Sequence, residues 1–148
     1  MDIRHCAQLL REHDKYLLVT HRRPDGDTLG SAAGLCHALR RLGKTAHLYH
    51  NPDITDNYMT YVGPYLAPDG YAYDKVISVD TATEKLLAVG FAAPVWMALD
   101  HHGSHAPYAE NTLVWGHKAS CGEVILALIR ELLGGADKEE ADLLLTVT

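Results

Sequence analysis

Short apolar runs alternate with amphipathic stretches along this chain. Residues 16–20 (YLLVT), 75–80 (KVISVD) and 95–100 (VWMALD) are continuous apolar runs, and 45–49 (TAHLY) is a shorter one. That is the pattern of strands covered on both faces. Helical spacing lies between them. Ile3, Cys6, Leu9 and Leu10 predict a helix over 3–12. Residues 28–42 (TLGSAAGLCHALRRL) predict a second, with Gly30, Ala33 and Gly34 small enough for close packing and Gly43 placed to stop it. A short helical piece is expected within 51–63 and another over 83–89 (TEKLLAV). Ser120 and Glu123 form a capping box before VILALIRELL, which Gly134 and Gly135 end. A last helix begins in 137–145 (DKEEADLLL). This alternation predicts one α/β domain: a doubly wound, mainly parallel sheet with helices on both faces. In such sheets ligands bind outside the carboxyl ends of the strands.

The composition of the 148 residues, 47% hydrophobic and 22% charged, is that of a folded domain with a core. A net charge of -6 argues against holding duplex nucleic acid by charge alone, which needs many Lys and Arg contacts to phosphate. Short nucleotides remain open, because a local basic pocket or a metal suffices for them. Cys6, Cys36 and Cys121 are scattered and odd in number, so neither a disulfide framework nor a structural zinc site is indicated. Cys36 and Cys121 read as buried small hydrophobes in helices. No apolar run approaches the roughly 18 residues of a membrane span, and no secretory signal is visible. A cytoplasmic protein without a membrane partner is the expectation.

Ten histidines are unusual. His5, His13, His37 and His47 fall in segments that read as ordinary helix or strand. Others cluster with Asp at strand ends. After YLLVT comes His21-Arg22-Arg23-Pro24-Asp25-Gly26-Asp27; after VISV comes Asp80; after VWMAL come Asp100, His101 and His102. Parallel strands would bring all three groups to one rim. Close carboxylates repel unless cations neutralise them, and a pair of divalent metals is the natural neutraliser. Asp25 and Asp27, two apart across a glycine, can face different metals, and a strand-end Asp80 can bridge both. One imidazole per metal among carboxylates suits Mn²⁺ best, with Mg²⁺ and Co²⁺ also compatible. Two such ions about 4 Å apart suit phosphate-ester hydrolysis. Taken singly, Asp80 is compatible with a helix cap, P-D-G-D with a turn, and the His pair with a plain loop. Three such groups at three strand ends are hard to explain by turns. Arg22-Arg23 could touch phosphate or point outward. Arg40-Arg41 reads as a solvated helix end.

The chain resembles the DHH phosphoesterase superfamily. The matching pieces are H-R-R-P-D-G-D-T-L-G-S-A at 21–32, V-I-S-V-D at 76–80, D-H-H at 100–102 and A-S-C-G-E at 119–123. The long first motif looks most like the bacterial nanoRNase/oligoribonuclease and pAp phosphatase group. The resemblance implies a hydrolase of short oligoribonucleotides or pAp working through two divalent metals. Cyclic-dinucleotide phosphodiesterases and RecJ-like exonucleases are the neighbouring alternatives, and a non-catalytic nucleotide- or metal-binding domain is another. It implies a first metal on His21, Asp25 and Asp80 and a second on Asp27, Asp80 and His101. His102 would contact the scissile phosphate or assist the leaving group, and Asp100 would orient the histidines. The expected partner is short RNA or a small nucleotide, and a homodimer is compatible with the chain. The family also carries a fourth motif with a metal-binding Asp, and a smaller C-terminal substrate-binding domain. By that pattern residues 1–148 correspond to the N-terminal DHH domain, with Leu143 to Val147 leading into a fifth strand that would bear the Asp.

Overall fold

The structure, a computed structural model, describes residues 1–118 and 120–146. Five strands form one sheet: β1 (Tyr16–Val19), β2 (Ala46–Leu48), β3 (Lys75–Val79), β4 (Met97–Asp100) and β5 (Asn111–Val114). Their order is β2-β1-β3-β4-β5 and every pairing is parallel. The register sets Leu18 beside Ile77 and Val79 beside Leu99. The chain winds outward from β1 to β2 and returns to place β3 on the other side of β1. The strand order therefore reverses between β1 and β3, where open α/β sheets bind their ligands.

The helices are α1 (Ile3–Glu12), α2 (Gly26–Arg41), α3 (Asp56–Val62), α4 (Cys121–Leu133) and α5 (Lys138–Thr146). The side chain of Asp25 caps α2 by accepting from the Thr28 N–H. Ser120 and Glu123 form the expected capping box on α4, and Gly134 closes it in the left-handed conformation (φ 83°). α2 packs against α3, α4 and α5, and α1 against α4. The main core lies between this layer and the sheet, and includes Leu10, Tyr16, Leu18, Leu35, Ile77, Met97, Leu99 and Ile125. All three cysteines are buried and free. No described helix is long and apolar enough to cross a membrane.

Several sequence expectations need correction. Residues 83–89 hold only a three-residue 3-10 turn, Glu84–Leu86. Neighbouring Leu87 and Ala88 are both buried, in a cluster with Val19, Val76 and Val95 on the sheet face opposite the main core. The Ala88 N–H donates to Thr20 O, and Leu87 bridges His21. That backbone is committed to the sheet rather than to a helix. Strand β5 is unannounced, because only Leu113 of its four residues is buried.

Arg40 and Arg41 are not a free helix end. Arg40 donates to Ala46 O and Pro64 O. Arg41 donates to both oxygens of Glu140, a carboxylate with no exposed surface. His37, read as an ordinary helix residue, reaches the same carboxylate at 2.7 Å. These contacts dock α5 on α2, at a place where a Cβ on Gly34 would meet Leu144 Cδ2 at 3.1 Å. Leu143 and Leu144 are buried residues of α5. Val147 lies outside the described residues.

Candidate metal centre

β1, β3 and β4 are neighbours, so the residues at their carboxyl ends meet at the middle of one rim. His21 comes two residues after β1 and lies against the first turn of α2. Its Nδ1 stands 2.6 Å from Arg22 O, which orients the ring and turns Nε2 inward. Asp25 is the N-cap of α2 and Asp27 lies in its first turn. Asp80 directly follows β3 with a left-handed backbone (φ 60°) and donates its N–H to Leu99 O. That conformation is uncommon outside glycine, though Asp and Asn tolerate it best, and residues so held concentrate at functional sites.

Thr28 stands at the centre of the first group. Its hydroxyl lies 2.7 Å from His21 Nε2, 2.9 Å from Asp25 Oδ1 and 2.6 Å from Asp80 Oδ2. One hydroxyl has one proton to give, and two of these neighbours are carboxylates. Asp25 Oδ1 also accepts the Thr28 N–H, but the one hydroxyl proton cannot serve every inward-facing acceptor of this group. Asp80 is more demanding still. It is 3% exposed, and Oδ1 accepts no hydrogen bond among the described residues. His101 Nε2 stands 3.1 Å from that oxygen and His102 Nδ1 3.8 Å.

Asp27 is held differently. Its Oδ2 accepts the Cys121 N–H and its Oδ1 the Gly122 N–H, so the free donors that open α4 fix the carboxylate. Asp27 Oδ2 remains 3.9 Å from His101 Nε2. His101 sets its Nδ1 3.3 Å from Lys118 O, again leaving Nε2 inward. Asp100 is fully buried. Its Oδ1 accepts the His101 N–H and lies 2.6 Å from His102 Nδ1, while its Oδ2 lies 2.7 Å from His105 Nδ1.

These contacts set the electrostatics. Burial pushes the Asp80 carboxyl up to about 6. The Thr28 hydroxyl works against that rise, the Asp27 charge adds to it, and His101 and His102 oppose it. Asp25 goes the other way. Burial would raise it, but the N–H and hydroxyl of Thr28 and the nearby His21 together hold it below its ordinary range. Burial also pushes the Cys121 thiol well up, so it is no nucleophile.

The structure thus brings together the residues singled out in the sequence. His21, Asp25 and Asp80 each offer a ligand atom within 4.8 Å of the others, and so do Asp80, Asp100, His101 and His102. Asp27 joins through His101. A third group, His37, Asp137 and Glu140, lies at the foot of α5. There Arg41 already supplies the positive charge. An open cleft of about 330 Å³, lined by His21, Asp80, Thr81, Ala82, Leu86, His102 and Ser104, leads to the strand-end groups. Arg22 Nε donates to Leu87 O, and Arg22 is not among the residues that line this cleft. Two residues of the site, Thr28 and His105, were not foreseen. Thr28 directly follows D-G-D, and His105 lies three residues after His102 in D-H-H-G-S-H.

Residues 15–148 match the DHH family, N-terminal domain. A bifunctional oligoribonuclease and PAP phosphatase NrnA of Thermus thermophilus is 30% identical over 124 residues, which cover 79% of this chain and 36% of that protein. Among solved structures, an exopolyphosphatase-related protein from Bacteroides fragilis superposes with a TM-score of 0.81 at 24% identity, over 96% of this chain and 47% of its own. Exonuclease RecJ bound to manganese gives 0.63 at 21%, over 100% of this chain and 42% of RecJ. The chain therefore spans between about a third and a half of the length of these proteins.

Proposed function

The chain belongs to the DHH family, and on that premise we propose that it is a metal-dependent phosphoester hydrolase acting on short oligoribonucleotides or pAp-like nucleotides. One observation carries the reading. His21, Asp25, Asp27, Asp80 and His101 converge on one rim, and a buried oxygen of the central carboxylate has no hydrogen-bond donor among the described residues. A buried carboxylate in that state is costly unless a cation completes it. The donor set is oxygen with one imidazole on each side, which fits a borderline divalent ion such as Mn²⁺. The manganese bound by RecJ supports that ion, and the Thermus oligoribonuclease and PAP phosphatase supports the substrate class.

His21, Asp25 and Asp80 would hold one ion, and Asp27, Asp80 and His101 the other. Bound there, the pair supplies the charge that activates a water and neutralises a phosphate. The chain's own residues do the rest. Arg22 O and Lys118 O orient the two ligand imidazoles from behind, as metal-bound histidines require. The first N–H groups of α4 fix the angle of Asp27. His102 lines the cleft with its Nδ1 held by Asp100, so its Nε2 is left to meet the phosphate or to hand a proton to the departing oxygen. Leu86 forms an apolar wall of the cleft.

A substrate panel tests the reading. The purified chain, loaded with Mn²⁺, is given an RNA dinucleotide, pAp, a cyclic dinucleotide and a single-stranded DNA oligomer. Turnover of the RNA dinucleotide or pAp ahead of the other two is expected. Turnover confined to the cyclic dinucleotide or to DNA would reassign the substrate. Metal binding without turnover of any of the four would make this a binding domain.

A further inference from the structure

Asp100 Oδ2 is 2.7 Å from Nδ1 of His105, a ring 3% exposed and lying against Tyr108 with centroids 5.4 Å apart. The opposite nitrogen, His105 Nε2, is buried and has no hydrogen-bond partner among the described residues. These facts restrict what the ring can do. A proton on Nε2 would be a buried donor with nothing to donate to, whereas a bare Nε2 lone pair is the cheaper defect. The proton therefore sits on Nδ1 and is given to Asp100. With no partner beyond Nε2, the ring has no route for passing a proton onward. It can hold Asp100, but it cannot relay.

Asp100 in turn has its oxygens divided. Oδ2 is taken by His105, and Oδ1 takes the His101 N–H and His102 Nδ1. Without His105 the carboxylate could turn about its Cβ–Cγ bond and bring either oxygen to His102. We propose that His105 is a positioning residue. It locks the Asp100 carboxylate so that His102 keeps one tautomer, proton on Nδ1, and presents Nε2 to the cleft. The proposal rests on the hydrolase reading for its consequence, and on the local geometry alone for the tautomer.

Two variants separate this from plain packing. His105→Phe keeps a ring beside Tyr108 but removes the donor. His105→Asn places its amide nitrogen where Nδ1 stood and keeps the donor. Long-range ¹⁵N–¹H NMR of histidine-labelled, Mg²⁺-loaded protein reads the tautomers directly. In the wild type, His102 and His105 should both carry the proton on Nδ1. His105→Phe should mix the His102 tautomers, lower kcat roughly 10- to 100-fold in the Mn²⁺ assay, as loss of an orienting partner does, and leave KM and metal content unchanged. His105→Asn should restore the His102 tautomer and kcat to wild type. In a His102→Ala background, His105→Phe should cost nothing further. A wild-type His105 protonated on Nε2 overturns the proposal without any variant, which covers the case in which His105→Phe does not fold. An unchanged His102 tautomer in His105→Phe, or His105→Asn as impaired as His105→Phe, overturns it too. A wild type that binds metal yet hydrolyses nothing overturns the hydrolase reading instead, and the tautomers still decide the positioning.

Discussion

Thr28 Oγ1 lies 2.6 Å from Asp80 Oδ2 and so ties the first turn of α2 to the end of β3. The bond crosses the point where strand order reverses. It gives Asp80 a donor on one oxygen, while the other, Oδ1, has none among the described residues. Thr28→Val keeps the shape and removes that donor. The metal-free variant should be about 1–3 kcal/mol less stable in urea unfolding, the cost of stranding a buried polar group. Mn²⁺ should recover part of the loss, because a cation serves the same carboxylate. A variant as stable as wild type without metal would remove Thr28 from the account.

Asp80 should make stability depend on pH in a distinctive direction. Its carboxyl is raised from an ordinary 3.8 to about 6. Between those values the folded chain holds a proton that the unfolded chain has lost, so stability falls as pH rises through this window. Above about 6 the full penalty stands, and below 3.8 it is absent. Asp80→Asn tolerates the same left-handed backbone and carries no charge. In metal-free protein, its stability relative to wild type should therefore improve by about 3 kcal/mol from pH 3.5 to pH 7. A gap that stays flat across the window would show that burial does not hold the proton on Asp80.

The same substitution should be the more damaging one for activity. Asp80 belongs to both groups proposed to hold a metal, whereas Asp100 touches imidazoles and backbone. Asp100→Asn should cost roughly 10- to 100-fold, and Asp80→Asn more than that, with loss of bound metal. Equal impairment at equal metal content would reverse the two roles.

His102 should separate binding from chemistry. Its Nδ1 is given to Asp100, and its side chain is 40% exposed at the cleft. His102→Ala should keep its metal, read by elemental analysis, and lose about 10²- to 10⁴-fold in kcat. Loss of one ion in that variant would move the ligand role from His101 to His102.

Glu140 predicts an acid limb. Burial would raise its carboxyl, but Arg41, the Asp137 N–H and His37 hold it below the ordinary 4.5. Its contribution is thus present above 4.5 and lost as pH falls below it. Arg41 is a third exposed, so solvent weakens the pair, and Arg41→Ala should cost about 2 kcal/mol at pH 7. Thermal melts should show that cost shrinking toward pH 3. A cost that grows in acid would contradict the ion-pair account of α5 docking.

Features with a local signal were legible in the sequence, and those made between distant elements were not. β1, β3 and β4 show as apolar runs because both their faces are buried. The Asp and His residues after them could be placed on one rim from the parallel order alone. β5 could not be read, because a four-residue edge strand with Asn111 and Thr112 at its start carries little apolar signal. The segment 83–89 misled for the opposite reason: Leu86, Leu87 and Val89 offer helical spacing, while the backbone is claimed by Thr20 and His21. Thr28 and His105 act through contacts between elements distant in sequence, 52 residues apart for Thr28 and Asp80, or through the side of a carboxylate that no spacing reveals.

If the strand-end carboxylates and imidazoles form a divalent-metal centre that hydrolyses phosphoesters, activity must track bound metal. The most direct test is to strip the chain with EDTA and titrate Mn²⁺ back while following bis(p-nitrophenyl) phosphate hydrolysis and bound metal in the same sample. Hydrolysis should vanish on stripping, rise with bound Mn²⁺ to a plateau, and stay absent in Asp80→Asn. Hydrolysis that survives stripping, or an Asp80→Asn variant that binds and turns over like wild type, would contradict it.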